Sequence, residues 1–194
     1  MITPGVEVLG QLELENSLEK VHYTHLISIG NPRSLFTINR PDTKMPSSFE
    51  GHFKRILRLS FYDVESKHHL RLRQFPRIIP RRSHVRKAIG FFEKTRSDAD
   101  GYTIHCWQGI SRSAAFALGF LYLITESEEE ALRILKAVRP EAHPNQRIVE
   151  LFDEALGSNL SAVNRLLHKD WIEKTKKELD LTEDSLLEEL KSPE

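Results

Sequence analysis

Hydrophobic and polar positions follow two alternating rhythms along the chain. His25-Leu26-Ile27-Ser28-Ile29-Gly30 is a short apolar run closed by Gly30-Asn31-Pro32, the pattern of a strand entering a turn. Arg55-Ile56-Leu57-Arg58-Leu59-Ser60-Phe61 predicts a second strand, and Gly101-Tyr102-Thr103-Ile104-His105-Cys106 a third that rises into a loop. Between them the rhythm lengthens. Val85, Ile89 and Phe92 recur at helical spacing, so a helix is expected over about Ser83 to Arg96. From Ser113 to Ile124 nearly every residue is apolar. That run is too short to span a bilayer and predicts a buried helix.

Ser127 followed by Glu130 forms a capping box, predicting a helix from Ser127 to Val138. Pro140 and Pro144 interrupt, and Gln146 to Leu156 predicts another helix. Short apolar strands followed by helices make an α/β domain with a central mixed sheet flanked by helices. Residues 1–157 are expected to form that domain. Beyond Gly157 the chain turns polar with leucines at helical spacing, so residues 158–194 are expected to be a helical C-terminal extension outside the core.

Composition narrows the function classes. The 194 residues carry 28 Lys+Arg and 28 Asp+Glu, a formal net charge of zero. Such a balance argues against a general nucleic-acid or membrane-surface binder. Charge is uneven, however. Residues 52–87 hold eleven Lys/Arg against Asp63 and Glu65 alone, whereas residues 170–194 hold nine acids against four lysines. No apolar run is long enough for a membrane span, and no signal peptide is read at the N-terminus, so a cytoplasmic location is expected. The pairs His68-His69 and His22 with His25 fall short of a metal site, and neither metal nor cofactor is expected.

The single cysteine excludes an internal disulfide, a CxxC pair and multi-cysteine zinc. It sits in His105-Cys106-Trp107-Gln108-Gly109-Ile110-Ser111-Arg112-Ser113, between a strand and the apolar helix. A loop opening a helix aims backbone N–H groups at one point, and the helix dipole adds positive charge there. Gly109 permits the backbone angles of such a cradle, and Arg112 offers a planar fork for two phosphate oxygens. Cys106 lies where those donors converge, which favours a thiolate. The expected product is a site for phosphate or another oxyanion with a nucleophile at its base.

These residues resemble the HCxxGxxR signature, followed by Ser or Thr, of cysteine-based protein tyrosine phosphatases. Gly109-Ile110-Ser111-Arg112-Ser113-Ala114 is similar to the dual-specificity branch. Chance would supply the full match at roughly one cysteine in 10⁵. The resemblance implies a phosphatase-like fold and a metal-independent phosphomonoesterase acting on phosphorylated protein. It assigns attack and a phosphocysteine intermediate to Cys106. Arg112 and the amides of Trp107, Gln108, Gly109, Ile110, Ser111 and Arg112 would bind the phosphoryl oxygens. Ser113 would donate to sulfur, and His105 would act indirectly through hydrogen bonds to nearby backbone.

The family also uses an aspartic acid from a separate loop as general acid. Asp63 is the candidate, 43 residues before Cys106, a longer interval than compact relatives use. Asp42 is the alternative, while Asp98 and Asp100 lie too close to the strand entering Cys106. Asn145, in Arg139-Pro140-Glu141-Ala142-His143-Pro144-Asn145-Gln146, is expected to brace the loop. Two other functions remain open: a phosphoinositide or inositol phosphate phosphatase, and a non-catalytic phosphoprotein-binding relative. The uncharged Trp107, Gln108, Ile110 and Ser111 weigh against the first, and the intact Cys106, Arg112 and Ser113 against the second.

Overall fold

The computed structural model describes residues 5–21, 23–33, 43–65 and 78–178, with side chains to 169. Four parallel strands lie side by side in the order β1 (Gly5–Gly10), β4 (Gly101–Cys106), β2 (His25–Gly30) and β3 (Arg55–Ser60). The α/β architecture is as expected. Every pairing among the described strands is parallel, however, where a mixed sheet is anticipated. The central strands β2 and β4 are buried at all six positions, because helices cover both faces. β1 carries the alternation of a half-covered edge strand, with Val6 and Val8 turned inward. Its short apolar stretch is not among the expected elements.

Alternate residues of β2 divide the interior into two cores. Ile27 and Ile29 face the larger one, which joins the sheet to α3 (Arg82–Thr95), α4 (Arg112–Thr125), α5 (Glu128–Val138) and α6 (Gln146–Leu156). Leu26 faces a smaller one built from Leu14, Val21, Phe49 and Phe53, under α1 (Gln11–Ser17) and α2 (Ser47–His52). α4 runs through the centre, buried from Arg112 to Leu121, as its near-continuous apolar run requires. Ser127 caps α5 by accepting from Glu130 N at 3.3 Å, so that end of the capping box is formed. Asn145 caps α6 by accepting from Ile148 N at 3.1 Å.

The C-terminal helix α7 (Leu160–Glu178) departs from expectation at its start. Leu160 is fully buried within the larger core, and Asn164 is fully buried as well. Burying such a leucine contributes about 1.5–3 kcal/mol. Asp153 of α6 docks this end. Its Oδ1 accepts from Ser158 Oγ and Leu160 N, both at 2.7 Å, and its Oδ2 from Ser161 N at 2.9 Å. The first turns of α7 therefore belong to the packed body. Much of the basic segment (residues 66–77) and of the acidic tail (179–194) lies outside the described residues.

Candidate active site

Because the strands are parallel, the C-terminal ends of β2, β3 and β4 all open on one edge of the sheet. That edge is where α/β folds of this kind bind ligands. β4 ends at Cys106, β2 runs into Asn31, and β3 runs into Phe61 and Asp63. The loop 107–111 then turns the chain into α4. Cys106 is buried, and its Sγ lies 3.1 Å from Ser113 Oγ in the first turn of α4.

The loop's shape is set from outside. Gly109 has φ +77°, in the left-handed region, and a Cβ there would fall 2.5 Å from Gly10 N and Leu9 C. Four loop carbonyls are each held by an outer donor. Gln11 N reaches Trp107 O at 3.1 Å, and Arg139 Nη2 reaches Gln108 O at 3.2 Å. His143 N reaches Ile110 O at 2.9 Å, and Asn145 N reaches Ser111 O at 3.3 Å. In a planar trans peptide, C=O and the following N–H point in opposite directions. The N–H groups of Gln108, Gly109, Ser111 and Arg112 are therefore turned away from these outer partners. N–H groups facing away from the loop's anchors are the donors that binding an oxyanion requires.

Arg112 is 4% exposed despite its charge. Its Nη1 donates to Asn31 Oδ1 at 3.1 Å and to Phe61 O at 3.0 Å, so the ends of β2 and β3 orient the guanidinium. Its Nε lies 3.7 Å from Asp63 Oδ2. The other oxygen, Asp63 Oδ1, accepts from Ser111 Oγ at 2.9 Å and from Asn145 Nδ2 at 2.7 Å. Asp63 is thus brought to the loop despite its distance in sequence, and Asn145 touches both the loop and Asp63. Asp98 and Asp100 sit at the other end of the sheet, bound to Lys54 and Thr24. Asp42, His22, His68 and His69 lie outside the described residues. His25 is buried at the start of β2, 3.0 Å from Thr24 Oγ1.

His105 lies beneath the loop, fully buried. Its Nε2 meets Ser28 Oγ at 2.7 Å, and Arg58 Nη1 donates to that hydroxyl at 2.6 Å. Arg58 can only donate, so the Ser28 oxygen accepts from it, and the ring tautomer sets which of Ser28 Oγ and His105 Nε2 donates to the other. Burial pushes the His105 pKa down to about 3, and Arg58 adds to the shift, with the Cys106 backbone offsetting part of it. The imidazole is neutral at physiological pH. Backbone partners alone are expected for this ring from sequence, and the side-chain relay through Ser28 is an addition.

Sequence reasoning misses several supports. Arg139 grips Glu13 with both terminal nitrogens, at 2.9 and 3.1 Å, while holding Gln108 O. Burial works to raise the Glu13 pKa, but the Gly10 N–H at 2.6 Å and Arg139 hold it below the usual carboxylate range. Asn31 is signalled only as a turn residue, and Ser28 and Arg58 only as strand residues. Nothing in their local pattern marks them for the site. Among the described residues no helix is long and apolar enough to cross a membrane, and no group of three or more His, Cys, Asp or Glu is placed to hold a metal.

With this geometry in view, the chain compares with known proteins as follows. No family model matches it. It is 27% identical over 92 residues to mouse dual specificity protein phosphatase 15, covering 47% of this chain and 39% of that protein. It is 29% identical over 91 residues to zebrafish dual specificity protein phosphatase 22-B, covering 46% and 50%. The match thus spans two fifths to one half of these relatives' length. The fold superposes on human DUSP28 with a TM-score of 0.54 and 18% identity, over 80% of this chain and 96% of the other. Signature loop, partial sequence similarity and fold together make the chain similar to the dual-specificity branch of the cysteine-based protein tyrosine phosphatases.

Proposed function

We propose that the protein hydrolyses phosphomonoesters on phosphorylated proteins, with phosphotyrosine as substrate, through a phosphocysteine intermediate. The observation that carries this reading is the meeting of four groups at one loop: Cys106 Sγ against Ser113 Oγ, the buried Arg112, and Asp63 held by Ser111 and Asn145. The phosphoryl group sits against the loop N–H groups, with Arg112 on two equatorial oxygens. Cys106 thiolate attacks phosphorus in line as the bond to the leaving oxygen breaks. Protonated Asp63 gives its proton to that oxygen. Water then attacks the phosphocysteine and loses a proton to the Asp63 carboxylate. The P–S bond breaks, phosphate departs, and the returning thiolate is met by the Ser113 hydroxyl. Cysteine and aspartate end as they began.

The variable side chains of the loop (Trp107, Gln108, Ile110 and Ser111) bring no charge for further phosphates. That supports a single phosphomonoester over a polyphosphorylated inositol. The test is hydrolysis of p-nitrophenyl phosphate with EDTA present, wild type beside Cys106→Ser. Activity in the first and none in the second is the expected result. Activity surviving in Cys106→Ser overturns the mechanism. A folded, reduced wild type that binds phosphotyrosine peptide without turnover makes the chain a binding module instead.

A further inference from the structure

The segment 143–145, between α5 and α6, is gripped from two sides. On one side His143 N and Asn145 N donate to the loop carbonyls of Ile110 and Ser111. On the other, the Pro144 carbonyl turns toward α7. There Asn164 Nδ2 donates to it at 3.1 Å, and His168 Nε2 lies 3.2 Å away, where only a donor fits a carbonyl. Pro144 C=O and Asn145 N–H belong to one planar peptide unit. That unit is therefore clamped at both ends, by the phosphate loop through its N–H and by α7 through its C=O.

The α7 side of the clamp is well built. Asn164 is fully buried, and its amide also reaches Gln146 Oε1 at 2.8 Å. The His168 ring stacks on His143 with centroids 3.6 Å apart and planes at 18°. Burial, and His143 beside it, hold the His168 pKa below the ordinary histidine value.

We propose that Asn164 and His168 of α7 are positioning residues for the general acid: by fixing the Pro144–Asn145 peptide they set the Asn145 amide that holds Asp63. This rests on the assignment of Asp63 as the acid. Asn145 has little freedom of its own, since Oδ1 caps α6 and Nδ2 binds Asp63 Oδ1. A tilt of its peptide moves the carboxyl relative to the leaving oxygen, and catalysis by a positioned acid is lost with small displacements. The C-terminal helix is on this view part of the catalytic apparatus.

The experiment compares kcat/KM on phenyl phosphate, whose leaving group is nearly as basic as tyrosine, with p-nitrophenyl phosphate, whose leaving group needs less protonation. Asp63→Asn is expected to lose about 10²-fold or more on the first and clearly less on the second. Asn164→Leu, and His168→Phe, which keeps the ring stack, are expected to copy that selectivity at about tenfold on phenyl phosphate. Combined with Asp63→Asn they add no further loss on that substrate. Leu166→Ala, on the exposed face of α7, changes neither rate. Equal losses on both substrates, or losses that add to that of Asp63→Asn, overturn the role of α7 while leaving Asp63 in place. An Asp63→Asn effect indifferent to the leaving group overturns the assignment of the acid itself.

Discussion

Gly109 offers a quantitative test of how the loop is held. Its φ of +77° and that of Gly157, +70°, are the two left-handed glycines among the described residues. Replacing either with alanine imposes the left-handed penalty, about 1–2 kcal/mol, reduced by about 0.4–1 kcal/mol because the unfolded chain loses freedom. The two sites then diverge. A Cβ at Gly157 meets nothing within 4 Å. At Gly109 it falls 2.5 Å from Gly10 N and Leu9 C and 2.9 Å from Leu9 O, all backbone of β1. Such atoms cannot swing aside as a side chain can, so overpacking adds about 1–3 kcal/mol.

Gly157→Ala should therefore cost about 1 kcal/mol or less, and Gly109→Ala about 2–4 kcal/mol. At about 2–4 °C per kcal/mol for a chain of this size, the two melting points should stand several degrees apart. If the loop yields instead of the strand, the strain emerges as lost activity, since the Trp107 and Gln108 carbonyls lose their register with Gln11 and Arg139. Urea unfolding and p-nitrophenyl phosphate turnover, measured on both variants, separate the outcomes. A Gly109→Ala protein as stable as Gly157→Ala and as active as wild type would refute the contact between loop and β1.

Two further expectations concern groups beneath the sulfur. Ser113→Ala removes the hydroxyl 3.1 Å from Cys106 Sγ, so breakdown of the phosphocysteine should slow while its formation is little changed. In rapid-mixing kinetics kcat should fall about tenfold or more with a burst of product and a nearly constant kcat/KM; an equal fall in both removes Ser113 from the second step. His105 has a native pKa of about 3 against about 6.5 unfolded, so below pH 6.5 the unfolded chain binds a proton the native state refuses. Its contribution to stability is complete above that pH and falls by about 1.4 kcal/mol per unit as pH drops toward 3. His105→Gln should thus lose about 2 kcal/mol less than wild type between pH 7 and pH 5, read from urea midpoints, and parallel losses would show that burial does not depress this histidine.

The elements that sequence reveals are those whose pattern is local. Three strands, the buried α4 and the capped α5 and α6 follow from apolar runs, Ser127 and the prolines around Asn145. β1 escapes because six residues with two inward valines carry too little periodicity to stand out. Sheet polarity is carried by intervals rather than by any residue pattern: residues 31–54 separate β2 from β3 and residues 61–100 separate β3 from β4, each long enough for a parallel crossover. At the site, the loop from His105 to Ser113 is legible as a contiguous motif. Asn31, Ser28, Arg58, Arg139 and Glu13 are not, because each acts through a contact made only after the chain folds. α7 reads as polar from its leucine spacing, since the two residues that enter the body most deeply, Leu160 and Asn164, differ in character.

Asp63 illustrates why interval is the wrong variable for finding a partner to Cys106. What brings it to the loop is strand register. Gly30 pairs with Ser60, so Asn31 and Phe61 stand level, one residue beyond the sheet. Both take the same Arg112 nitrogen, which fixes the height of the loop's arginine against the ends of two strands. Two residues past Phe61, the chain leaving β3 presents Asp63 to Ser111 and Asn145. The number of residues that follow before Cys106 does not enter that geometry. An insertion between β3 and α3 lengthens the interval yet leaves the register of β2 with β3 and β4 untouched. On the proposed assignment of Asp63 as general acid, strand register, and not the interval to Cys106, is what sets the acid against the loop.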